Sequence, residues 1–217
     1  MSERDIRYRA VVPPEKMSKC RCVIAGVGAI GRQVALQLAA MGAPKLILFD
    51  FDKVEEANLG TQGWCHFDIG SSKVEAAHRS CAALNPRMEV EKHECRFDAN
   101  KAIPDGGAFS DIAVFACVDK MSARKTVWET LGSRSGFFVD GRMAAETCRV
   151  VTGGDHYSKT LFDDREAYQG ACTSKATIYA ASVAAGLMIA QFTKWLRAMP
   201  ADADVSLNLL AVELAVD

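Results

Sequence analysis

Gly26-Val27-Gly28-Ala29-Ile30-Gly31 has the spacing G-x-G-x-x-G and stands between an apolar run and a stretch of helical periodicity. Glycines at those positions permit a tight turn and close backbone approach. The amide groups at the start of the next helix attract phosphate. Asp50 ends a second apolar run, where a carboxylate can hold a ribose hydroxyl. Asp119 ends a third, DIAVFACVD from Asp111, at the carboxyl edge of a sheet where ligands of open α/β proteins bind. Cys172-Thr173 precedes the long apolar stretch from Ala176, and a helix N-terminus there would favour the thiolate. Glycine loop and Asp50 together read as a nucleotide site. They do not choose between NAD and ATP.

The elements that must position these residues follow from hydrophobic patterning. Lys19 to Ala25 reads as a first strand, Lys45 to Phe49 as a second, continuously apolar as in sheets covered on both faces, and Asp111 to Cys117 as another buried strand. Met88 to Cys95 alternates. Ala29 to Met41, Ser72 to Leu84 and Met121 to Gly132 read as helices, the second stopped by Asn85-Pro86. Asp50 to Ile69 reads as irregular. Gly136 to Val139 is a strand leading into Asp140-Gly141-Arg142. This β-α-β-α-β succession predicts a doubly wound, Rossmann-like, mostly parallel sheet. In the last third, Thr147 to Thr152 and Ser206 to Leu214 are strand-like and flank the long apolar helix. They fit antiparallel additions to one edge. The loop Gly153 to Ser174 is long and polar, which in a compact chain points to function.

The 217 residues are 49% apolar and carry a net charge of -1, enough for a full core and without the basic balance of a nucleic-acid binder. MSERDIRYRA is charged and has no apolar centre, so it does not read as a signal peptide. Ala176 to Phe192 is interrupted by Ser182, Gly186 and Gln191 and reads as a buried helix rather than a membrane span. Eight cysteines without a C-x-x-C pair fit reduced thiols in a cytoplasmic protein.

The segment from Asp50 to Gln62 (DFDKVEEANLGTQ), then Asp68 to Ala77 (DIGSSKVEAA) and Asn85-Pro86, resembles the ThiF/MoeB and ubiquitin-activating enzyme superfamily. Its members carry D-x-D-x-V-x-x-x-N-L-x-R-Q, then G-x-x-K-[AV]-x-x-A and an N-P turn. The likeness runs from Cys20 to about Trp195, and 1-217 is expected to be one adenylation domain with an N-terminal arm over 1-18. The resemblance implies ATP-dependent adenylation of the C-terminal carboxylate of a small ubiquitin-like or sulfur-carrier protein ending in glycine. It places Gly26, Gly28, Gly31, Asp50, Asp52, Asn58, Gln62 and Lys73 at the nucleotide. Asn58 and Lys73 meet the phosphates, and Asp119 binds magnesium and assists catalysis. Asp119-Lys120-Met121-Ser122-Ala123-Arg124 keeps the Asp and Arg of the family's D-[NC]-x-x-x-R and departs in the middle. Thr61 stands where members carry an arginine. A replacement cation could come from Arg142 or, across a homodimer, from Arg7 or Arg9. Cys172 matches the family's thioester position, although the separate cysteine domain and paired C-x-x-C zinc motif are absent.

Two other readings stay open. A nicotinamide-dependent oxidoreductase explains the glycine loop and Asp50 but leaves Asn58, Lys73 and Asp119 without a task. A non-catalytic nucleotide- or partner-binding member would accommodate Thr61.

Overall fold

The computed structural model describes residues 6–103, 109–164 and 176–217. Elements follow in the order α1 (Pro14–Met17), β1 (Arg21–Ala25), α2 (Ala29–Ala40), β2 (Lys45–Phe49), α3 (Glu56–Gln62), α4 (Lys73–Leu84) and β3 (Glu89–His93). Then come α5 (Ala99–Ala102), β4 (Phe109–Ala116), α6 (Met121–Val127), β5 (Ser135–Ala144), β6 (Thr147–Thr152), α7 (Ile178–Leu196), β7 (Asp204–Asn208) and β8 (Glu213–Val216).

The eight strands form one sheet in the order β3-β2-β1-β4-β5-β6-β7-β8. Pairing is parallel from β3 through β5 and antiparallel from β5 to β8. This is the doubly wound sheet with antiparallel edge strands that the patterning predicts. The central strands β1 and β2 are buried beyond their first residue because both faces are covered. One face packs α2, α4 and α7 in a core that includes Leu38, Leu46, Phe115, Met188 and Phe192. The other buries Val23, Ile112, Val114, Leu131 and Tyr157. No helix among the described residues is long and apolar enough to cross a membrane.

Chain order turns back between β1 and β4, so the crevice at the carboxyl ends of those two strands is the switch point of the sheet. The registers Ala25↔Phe49, Ala25↔Ala116 and Ala116↔Asp140 bring Gly26, Asp50, Cys117 and Asp140 to that one rim.

Four boundaries differ from the patterning. Asp50 to Ile69 is not wholly irregular: it holds α3 and a turn of 3-10 helix at His66–Asp68. The Glu55 side chain and Asn58 cap α3 reciprocally, a device that apolar periodicity does not register. Helix α6 ends at Val127 and gives way to a π-turn over Trp128–Gly132. Strand β5 runs on through Arg142 to Ala144, because β6 pairs with its second half. Ser206 to Leu214 is not one strand. Asn208 Oδ1 accepts from the amides of Leu210 and Ala211, and this turn reverses the chain between β7 and β8.

Candidate active site at the switch point

The glycine loop is fixed by its neighbours. Gly26 has φ +88°, and a Cβ there would lie 2.8 Å from the Cys117 carbonyl oxygen. A Cβ on Gly31 would lie 1.9 Å from the Gly26 carbonyl oxygen, so neither position accepts a side chain. At Gly28 a Cβ would meet nothing within 4 Å. Backbone is therefore open to close approach at the middle glycine, just before α2, and packed tight at the outer two.

Asp50 organises the loop from β2. Its Oδ2 accepts from the Val27 amide at 2.7 Å and its Oδ1 from the Asp52 amide at 2.8 Å. Burial pushes its carboxyl above the ordinary value, against the pull of those amides and of Lys73. Lys73, buried on the first turn of α4, gives its Nζ to Asp52 at 2.9 Å. The 52–54 segment holds α4 in place through Lys73 N to Asp52 O (3.0 Å) and Val54 N to Ser71 O (2.9 Å). Asp50, Asp52, Lys73 and the glycine loop are thus one connected group.

Asn58 lies on the first turn of α3, half-buried, with its Oδ1 accepting from the Glu55 amide at 3.1 Å. Gln62 ends that helix and accepts from Trp64 Nε1 at 2.9 Å. Asp119 lies in a bend after β4, exposed, and its carboxylate accepts no hydrogen bond among the described residues. It stands two residues beyond Cys117, which touches both outer glycines. Burial raises the Cys117 thiol to about 12, so this sulfur, although near the loop, stays protonated.

Arg142 occupies a different setting from a free cation at a strand end. It lies within β5, buried, with Nε 2.8 Å from Asp140 Oδ2. Its Nη1 and Nη2 reach the Thr160 carbonyl and hydroxyl oxygens, both at 2.8 Å. Asp140 also receives Arg124 Nη1 and, at 2.9 Å, the Tyr157 hydroxyl. The sequence assigns no role to Asp140, Tyr157 and Thr160. The available signal was Arg124, the retained arginine of the Asp119 motif.

Arg7 and Arg9 are exposed in the N-terminal arm. Cys172 lies outside the described residues. The long helix that it was expected to open begins at Ile178, with the Thr177 hydroxyl accepting from the Ala180 amide.

Comparison with known proteins bears on family and fold. Ubiquitin-like modifier-activating enzyme 5 of Drosophila persimilis is 35% identical over 133 residues, 57% of this chain and 35% of that protein. Its Caenorhabditis elegans counterpart is 35% identical over 122 residues, 52% of this chain and 29% of that protein. The chain spans about a third of the length of these curated relatives. Among solved structures, E. coli MccB with MccA-N7isoASN superposes with a TM-score of 0.77 at 16% identity, over 100% of this chain and 72% of that one. MccB with ATP gives 0.74 at 17%, over 100% and 71%. PaaA gives 0.74 at 19%, over 99% and 68%. These are likenesses of fold. The ThiF family model matches residues 4–214, nearly end to end, and the chain belongs to the ThiF family.

Proposed function

We propose that this chain is an adenylation domain that joins AMP to the C-terminal carboxylate of a small ubiquitin-like or sulfur-carrier protein ending in glycine. The observation that carries the reading is the meeting of three things at one switch point. An open glycine loop, an Asp50–Asp52–Lys73 group tied to it and an exposed Asp119 share the rim. Membership of the ThiF family supports it, as do relatives named as activating enzymes for ubiquitin-like modifiers and a fold shared with MccB bound to ATP.

The donor set suits magnesium-bound ATP. Magnesium is commonly held by one or two carboxylates together with substrate phosphates, and Asp119 offers a carboxylate not engaged in hydrogen bonds among the described residues. Bound there, the ion would neutralise charge on the phosphoryl oxygens. Gly28 lets the phosphates approach the start of α2, Asp50 is placed for the ribose, and Lys73 and Asn58 supply a cation and an amide donor. In the reaction a carboxylate oxygen of the partner forms a bond to the α-phosphorus while the bond to pyrophosphate breaks. The chain's own contribution is to align these groups and stabilise developing charge. If Cys172 takes part, its thiolate attacks the acyl carbon and AMP leaves.

A second copy of the chain could complete the site through Arg7 or Arg9. The test is exchange of labelled pyrophosphate into ATP, dependent on a β-grasp protein ending in glycines. Wild-type protein should catalyse it and Asp119→Ala should not. Exchange that survives in Asp119→Ala removes Asp119 from the reaction, and no exchange with any glycine-ended partner sinks the reading.

A further inference from the structure

Asp140 is fully buried, and it faces more positive charge than it can balance. Two guanidiniums converge on its single carboxylate: Arg124 from α6 on Oδ1 and Arg142 from β5 on Oδ2. The Tyr157 hydroxyl is a third donor, kept protonated because burial raises its ionisation. Each cation then reaches a different part of the rim. Arg124 also donates to the Gly141 carbonyl at 3.0 Å and stands one turn into the helix that follows Asp119. Arg142 reaches forward to Thr160, in the segment that leaves β6. The same segment comes back to α6, where Asp164 accepts from the Met121 amide at 2.5 Å and from the Ser122 amide at 3.3 Å. Residues 157–164 are therefore a strap, tied to Asp140 at one end and to the start of α6 at the other.

We propose that Asp140 is a positioning residue, which through Arg124 sets the α6 start that carries Asp119 and through Arg142 and Tyr157 fixes the strap beside it. The physical reason is the charge count. One carboxylate between two buried guanidiniums leaves each cation dependent on it, and Arg124 Nε has no hydrogen-bond partner among the described residues. If the carboxylate is lost, the two cations repel in a medium with little screening and separate toward their other partners. Helix start and strap then move together. The Asp140 side chain has no exposed surface. It acts through what it holds, and the consequence for the nucleotide rests on the adenylation reading.

Hydrogen exchange on wild type, Asp140→Asn, Arg142→Gln and Arg124→Gln tests this directly. In Asp140→Asn, amide exchange should rise about tenfold or more in both 157–164 and 119–124, while β1 and β2 stay as protected as in wild type. Arg142→Gln should loosen only 157–164, and Arg124→Gln only 119–124. Binding of Mg·ATP, followed by calorimetry, should weaken about fivefold in Asp140→Asn and Arg124→Gln and less than twofold in Arg142→Gln. Uniform loosening of the whole sheet, or wild-type protection of both segments, overturns the inference. Should Asp140→Asn fail to fold, the two arginine variants decide it: loosening of each one's own segment supports the proposal, and its absence refutes it. Wild-type protein that does not bind Mg·ATP would instead sink the adenylation reading, while the exchange pattern still judges Asp140.

Discussion

Two carboxylate–cation groups flank the switch point, built from the same chemical parts and put to opposite uses. On the β1/β2 side, Asp50, Asp52 and Lys73 form a short chain whose outer member, Asp52, is half exposed at 50%. On the β5 side, Asp140 with Arg124 and Arg142 is closed off: side-chain exposures are 0%, 6% and 10%. The first group opens to solvent at Asp52, with Lys73 buried behind it and Asp50 holding the glycine loop. In the second, the carboxylate is shared by two guanidiniums that also hold Gly141 and Thr160, so the two cations tie separate segments together. The cations are equally buried in both, so one exposed carboxylate, Asp52, divides the group that a ligand can reach from the one that fastens. A charge that water or ligand can reach is available for chemistry, and a charge that only protein can reach becomes structure.

If that division holds, Asp140→Ala should show the largest effect on stability. It leaves two guanidiniums buried without their counter-charge, a loss of about 3–5 kcal/mol, and for a chain of this size a fall in Tm of roughly 10 °C. Differential scanning calorimetry measures it, and a Tm within a degree of wild type would break the comparison. Asp119→Ala is the opposite case. An exposed carboxylate without a hydrogen-bond partner among the described residues should change stability by less than about 0.5 kcal/mol. Partner-dependent pyrophosphate exchange should nonetheless drop by about 100-fold or more. A variant that loses stability as well as exchange would place Asp119 with the fastening group.

The open group was more legible in the sequence than the closed one, and for a physical reason. Gly26, Gly28, Gly31 and Asp50 act through local backbone geometry at strand ends, so spacing along the chain already encodes their placement. Continuous apolar runs likewise revealed β2 and β4, which are covered on both faces. Asp140 and Tyr157 meet Arg124, and Thr160 meets Arg142, only because β4 and β5 pair in parallel and the chain after β6 folds back over the rim. No local period records such a meeting. Arg142 shows the consequence: its type and neighbourhood suggested a phosphate cation, yet Asp140 and Thr160 take up its donors. Capping was the other hidden signal, since α3 rests on Glu55 and Asn58 rather than on an apolar stripe, and none of its residues is buried.

Lys73→Ala sharpens the comparison from within the open group. Its ion pair joins a buried lysine to a half-exposed aspartate, so solvent screens it and the stability loss should be about 1 kcal/mol, much of it from the buried aliphatic stem. Affinity for Mg·ATP should fall about tenfold, because a charge-assisted contact to phosphate is lost. Calorimetric titration alongside urea unfolding separates the two quantities. A stability loss as large as that of Asp140→Ala, with unchanged affinity, would make Lys73 a fastener.

The smallest effect concerns the titration of Asp50. Burial raises its pKa above 3.8 in the folded chain, and Lys73 is among the influences that hold the rise down. The folded chain therefore keeps a proton over a window in which the unfolded chain has released it. Across that window stability falls as pH increases, and the protonated carboxyl is the better tolerated form. Removing Lys73 takes away a lowering influence, so the Asp50 pKa should climb further and the window should widen upward. Carbon-13 NMR of the Asp50 carboxyl in wild type and Lys73→Ala reads the shift directly, and urea midpoints over the same pH range read its effect on folding. A titration that does not move would detach Lys73 from Asp50. Lys73 would then act on Asp52 alone, with Asp50 holding the glycine loop and the Asp52 amide.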